Sequence, residues 1–109
     1  MAEQIPARVR ALVLARAGEV CEVCGIGGAL ELHHRKYRSR GGAHVASNLV
    51  ALCGWGNHTG HHGWAHSEPL AVEWGVSLHS WDDPATSRLW MPQRGAWVLL
   101  DDLGEAHAA

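Results

Sequence analysis

Two adjacent histidines, His33 and His34, close an apolar-alternating run containing Leu30 and Leu32, and Arg35, Lys36, Arg38 and Arg40 follow at once. One imidazole can hold a cation, the other can deprotonate water, and the basic side chains can seat a phosphate backbone, which together are the needs of a metal-dependent phosphodiester hydrolase. Further along, His62 and His66 are four residues apart, so on a helix both rings project from one face and can chelate one ion. Adding His33 from a strand gives three nitrogen ligands and leaves positions for water and a phosphate oxygen, the open arrangement that catalysis requires. His44, His79 and His107 have no such spacing and read as ordinary loop or tail residues.

A second constellation is built on sulfur. Cys21-x-x-Cys24 lets two thiolates bite one tetrahedral ion, Cys53 is the remaining cysteine, and the fourth ligand stands between His58 and His61. The expected site is Cys₃His with Zn²⁺. Three cysteines leave a disulfide framework incomplete, and Met1 to Arg16 lacks the continuous apolar segment of a secretory signal, which points to a reducing cytoplasm. A chain of 109 residues is near the size where one apolar core is only marginally stabilising, so metal is the expected staple. No apolar stretch approaches bilayer thickness, and no membrane partner is expected.

The elements that must position these residues follow from periodicity. Ile5, Val9, Leu12 and Val13 recur at helical spacing, predicting a helix from Ile5 to Ala17 with Gly18 as its C-cap. Cys21 to Gly28 reads as a knuckle, Ala29 to Tyr37 as a strand, and Ser39 to Ser47 as a loop turned by Gly41-Gly42. Asn48 to Leu52 is a short buried segment leading into Cys53. A glycine-punctuated stretch, Gly54 to Gly60, precedes a helix from about His61 towards Trp74, in which Pro69 is either a kink or a new start. Val76 to Leu78 and Trp97 to Leu100 read as strands separated by the turn residues Asp82-Asp83-Pro84 and Pro92. The whole is one domain, 1–109, with the chemistry at about 19–68 and a C-terminal β appendage at about 70–109.

Charge is divided along the chain: residues 1–66 carry seven Lys and Arg against four Asp and Glu, and residues 67–109 carry two against seven. A polyanion should therefore dock on the first part. With six Trp, one Tyr and no Phe, the aromatic core must be built from Trp. Trp55 and Trp64 are expected in the core or against the zinc site, while Trp74, Trp81, Trp90 and Trp97 could line a contact surface, core being the expectation for most.

Taken in order, Cys21-x-x-Cys24, Leu32-His33-His34-Arg35, Ser47-Asn48-Leu49-Val50-x-Leu52-Cys53 and His61-His62-Gly63-Trp64-x-His66 resemble the HNH endonuclease family. The resemblance implies an α+β fold with a ββα-metal (His-Me finger) core, here with an N-terminal helix and a zinc knuckle. It implies a DNA endonuclease in which His34 is the general base, His33, His62 and His66 hold the catalytic divalent cation (Mg²⁺, Mn²⁺, Ni²⁺ or Zn²⁺), and Asn48 hydrogen-bonds the loop backbone to orient the strand bearing His34. Members usually place a cysteine directly before the last motif histidine. His61 stands there in this chain, and so becomes the fourth structural zinc ligand beside Cys21, Cys24 and Cys53. Arg35, Lys36, Arg38 and Arg40 are the expected DNA-binding residues. The C-terminal Trp97 to Asp102 resembles small HNH proteins of actinobacterial phages, implying DNA packaging, terminase subunits as partners and the host cytoplasm as location. The alternative is a zinc-stapled DNA-binding or adaptor module without cleavage activity.

Overall fold

The computed structural model describes residues 4–56 and 58–109. Asn57, inside the glycine-punctuated stretch, and the first three residues lie outside the described residues. The first helix, α1 (Ala7–Ala17), ends at Gly18, whose φ of 66° supplies the left-handed turn that lets Gly18 and Glu19 return hydrogen bonds to Ala15 and Leu14. The strands β1 (Leu30–His34) and β2 (Leu49–Cys53) pair antiparallel, with Leu30 opposite Cys53, His33 opposite Val50 and His34 opposite Leu49. Helices α2 (Gly60–Ser67) and α3 (Pro69–Glu73) follow, with Pro69 at the first position of α3, where its missing N–H costs nothing. The sequence ambiguity at Pro69 thus resolves as a new helix.

β2 is buried on both faces, and its alternation divides the interior in two. Leu49 and Ala51 join Val13 and Ala46 under α1. Val50 and Leu52 join Cys21, Val23, Ala65, Val76, Leu89, Met91, Val98 and Leu100 on the other side. Cross-strand partners share a face, so His33, opposite Val50, turns towards α2, while His34, opposite Leu49, turns the other way. Arg16 reaches from α1 to Glu22 at 2.8 Å and to the carbonyls of Ala46 and Leu49, and Glu22 in turn accepts the N–H of Ala51. This buried, fully bonded pair ties helix, knuckle and β2 together.

Two expectations for the C-terminal part change. Val76 to Leu78 is buried coil, not a strand: Leu78 N–H bonds Arg35 C=O, and both Val76 and Ser77 N–H groups return to Ala71 C=O, so the segment closes α3 without pairing edge to edge. The sheet there is three-stranded and antiparallel, β3 (Leu89–Met91), β4 (Ala96–Leu100) and β5 (Ala106–Ala108) in that order. Pro92 does begin the β3–β4 turn. This C-terminal β unit also shares the core, because Leu89, Met91, Val98 and Leu100 are packed into the same cluster as Val50 and Leu52. No helix among the described residues is long and apolar enough to cross a membrane.

Candidate functional site

The knuckle, the end of β2 and the first turn of α2 bring Cys21, Cys24, Cys53 and His61 together, their ligand atoms all within 4.8 Å of one another. His61 Nδ1 lies 3.7 Å from Cys21 Sγ and 3.4 Å from Cys53 Sγ, and Cys24 Sγ lies 3.8 Å from Cys53 Sγ. Ligands on a tetrahedron with Zn–S about 2.3 Å and Zn–N about 2.0–2.1 Å stand roughly 3.5–3.8 Å apart, so the donor set fits zinc. Of the two histidines left open by spacing, His61 is the one at the cluster; His58 is exposed. Burial pushes the Cys53 thiol up to about 11, with the neighbouring Cys21 adding to the shift. Burial also opposes ionisation of Cys21, but N–H groups of Cys24, Cys53 and Val23 outweigh it and bring that thiol below its ordinary value. A cluster of this kind holds its thiolates only with a cation at its centre.

The second cluster is His33, His62 and His66, again with ligand atoms within 4.8 Å. His33 is 1% exposed, and its Nε2 lies 3.0 Å from Val76 C=O. A carbonyl only accepts, so Nε2 carries the hydrogen and Nδ1 is left with its lone pair. On the same reasoning His62 Nδ1 donates to Glu31 Oε1 at 2.8 Å and leaves Nε2 bare. Ligating histidines are held by such partners, a backbone carbonyl for one ring and a carboxylate for the other. Burial, then repulsion from His66 and His62, lowers the His33 pKa to about 3, and burial followed by His62 lowers that of His66, so these rings are neutral donors at physiological pH. Tyr37 stacks on the exposed His66 ring with centroids 5.0 Å apart, and the Arg40 guanidinium covers Tyr37 at 4.6 Å.

His33 and His34 face opposite sides of β1, yet both border one open cleft of about 310 Å³, lined also by Leu32, Tyr37, Arg38, His62 and His66. Among the described residues β1 pairs only with β2, which leaves its other edge open. His34 Nε2 meets His44 Nδ1 at 2.9 Å. Burial first, then His44, Arg38 and His62, lowers its pKa to about 4, so His34 is also neutral.

Asn48 is fully buried. Its Oδ1 accepts the Lys36 N–H at 2.7 Å, its Nδ2 donates to Lys36 C=O and Ala43 C=O at 3.0 Å each, and its own carbonyl accepts the Arg35 N–H at 2.7 Å. The loop between Lys36 and Ala43 is thereby closed upon the end of β1.

The basic run divides. Arg38 and Arg40 are exposed and Lys36 half-buried, but Arg35 is 0% exposed and donates to the carbonyls of Gly75, Ser47, Pro84 and Ser87. The expectation that Arg35 contacts DNA is corrected: pairing ends at His34, the chain turns inward, and the guanidinium is consumed as an internal strut. Trp55, expected in the core or against the zinc site, is 79% exposed, and Trp81 is 77% exposed and stacked on His79. Trp64 and Trp74 do pack on the main cluster.

Glu31 and Tyr37 went unnoticed in the sequence, and His44, read there as an ordinary loop residue, instead meets His34. Glu31 had a signal, since two residues before His33 on a strand places it on the same face. His44 had none, because its contact with His34 exists only once the intervening loop has folded back.

Against known proteins, residues 21–63 match the family described as HNH endonuclease. The match takes in both cysteine groups, His33, His34, Asn48, His61 and His62 and stops before His66. No curated protein and no solved structure matches the chain.

Proposed function

From the HNH endonuclease character of residues 21–63, we propose that this protein is a metal-dependent endonuclease that hydrolyses DNA phosphodiester bonds, with its chemistry in the cleft beside β1. The observation that carries the proposal is the meeting of His33, His62 and His66 with a fourth, differently bonded histidine, His34, round one open cleft. A purely structural zinc module has no use for that second group.

His33, His62 and His66 would hold the catalytic divalent cation (Mg²⁺, Mn²⁺, Ni²⁺ or Zn²⁺), while Cys21, Cys24, Cys53 and His61 would hold structural Zn²⁺. When bound, the catalytic cation supplies Lewis-acid stabilisation of charge on the phosphoryl and leaving 3′ oxygens. His34, neutral at physiological pH, takes a proton from water as that water attacks phosphorus in line. Its lowered pKa makes it a weaker base than an unperturbed imidazole, and keeps it unprotonated well below neutrality. Asn48 holds the loop that follows His34 and so fixes where the ring stands. Arg38, which lines the cleft, would neutralise backbone phosphates together with Arg40 and Lys36 and carry little base information. A phage origin, DNA packaging and terminase partners rest on the likeness of Trp97–Asp102 alone; host cytoplasm would be the matching location.

The test is incubation with supercoiled plasmid across Mg²⁺, Mn²⁺, Ni²⁺ and Zn²⁺, with a chelator control. Nicking is expected to require the cation and to fall by about two to four orders of magnitude in His34→Ala. Purified protein that binds DNA but nicks with none of these cations would leave the zinc-stapled binding module in its place.

A further inference from the structure

The contact between His34 Nε2 and His44 Nδ1, at 2.9 Å with ring centroids 5.0 Å apart, is a hydrogen bond between two imidazoles. Such a bond carries one hydrogen: one nitrogen donates and the other accepts. If His34 is the base, as proposed above, it must present a bare nitrogen to water; with Nε2 engaged by His44, that nitrogen is Nδ1. We infer that His44 is the positioning residue of the base, its Nδ1 accepting the Nε2–H of His34 and holding that ring in the Nε2–H tautomer with Nδ1 available for the proton of water.

A second observation supports the assignment. His44 sits next to Ala43, whose carbonyl is held at 3.0 Å by Asn48 Nδ2. The same Asn48 amide binds Lys36 C=O, two residues beyond His34. One buried side chain therefore fixes the spacing between the two imidazole-bearing segments. Buried Gly42 allows the close return, since a Cβ there would collide with Lys36 C=O. In the reaction the water O–H bond breaks and its proton goes to His34 Nδ1, the oxygen lone pair forms the bond to phosphorus, and the phosphorus–leaving-oxygen bond breaks with its electron pair passing to the 3′ oxygen, which takes a proton from solvent water to leave as a hydroxyl. The resulting imidazolium strengthens the Nε2–H bond to His44, because a charged donor binds its acceptor more tightly.

The deciding experiment is long-range ¹H–¹⁵N NMR of the histidine rings at neutral pH in the protein as purified, with His34→Gln used to assign the His34 signals. His34 is expected as the Nε2–H tautomer, becoming an exchange-averaged mixture in His44→Leu. In plasmid nicking, His44→Leu is expected to lower kcat by about 10–100-fold with KM little changed, the scale on which a metal-bound histidine suffers from losing its hydrogen-bond partner. His44→Gln can accept the same hydrogen through Oε1 and should recover most of kcat, whereas His44→Lys can only donate and should not. The Gln and Lys pair keeps the result readable if the Leu variant folds poorly. An Nδ1–H tautomer for His34 in the unaltered protein, or an unchanged tautomer and kcat in His44→Leu, overturns the inference. Failure of the unaltered protein to nick would sink the nuclease reading separately; the tautomer would still decide whether His44 accepts from His34.

Discussion

Arg35 and Arg38 stand three residues apart in one basic run, and their fates could not differ more. Arg35 is internal, and burial lowers its pKa to about 10, which leaves it charged at neutral pH among carbonyl acceptors. Its removal strands those carbonyls, so Arg35→Met is expected to cost at least about 1–3 kcal/mol, the penalty for a buried acceptor left unpaired, read as a lowered urea midpoint. Arg38→Ala should leave the unfolding free energy within about 0.5 kcal/mol of the parent. It should instead weaken binding to all DNA sequences alike and flatten the salt dependence by roughly one unit of slope. The run of cations was legible in the sequence, but which of them turned inward was not. That depended on β1 ending at His34 and on carbonyls from Ser47, Gly75, Pro84 and Ser87, remote in the chain, gathering at one point.

Elements with a strong period were legible in the same sense: α1 and its glycine cap, the β1–β2 pair and the start of α2 all stand close to where apolar spacing put them. The three-residue strands β3 and β5 were not, because a strand that short has no period to read. Between β2 and α2 the chain makes a tight return in which Gly60 has a φ of 60° and a Cβ would lie 2.5 Å from Gly54 Cα and 2.7 Å from Cys53 C=O. Gly60→Ala must push the first turn of α2 away from β2, and with it His61 from Cys53. Lower zinc stoichiometry by elemental analysis, or release to a weaker competing chelator, is the expected result. Gly27→Ala, within the knuckle but with nothing within 4 Å of the added carbon, should leave the zinc stoichiometry unchanged.

At the scale of the molecule, Cys21 and Val23 of the knuckle belong to the same apolar cluster as Leu89, Met91, Val98 and Leu100 of the C-terminal sheet. On the proposed zinc assignment, stripping the ion should accordingly unsettle the whole chain. One calorimetric transition is expected, shifted down by about 10–20 °C on strong chelation if the ion contributes only a few kcal/mol beyond the core. A C-terminal sheet that melts separately and at unchanged temperature would count against a shared core. There is also a matter of sequence in time. His61 and His62 are consecutive on α2, and one residue step turns a helix by about 100°, so neighbouring rings are delivered to different clusters. On the proposed assignments, an α2 that is not yet tethered through His61 offers no fixed His62 and His66. Loading is then ordered, structural ion first. Zinc supply, and not the abundance of the hydrolytic cation, would set how much of a freshly made population is competent to cut.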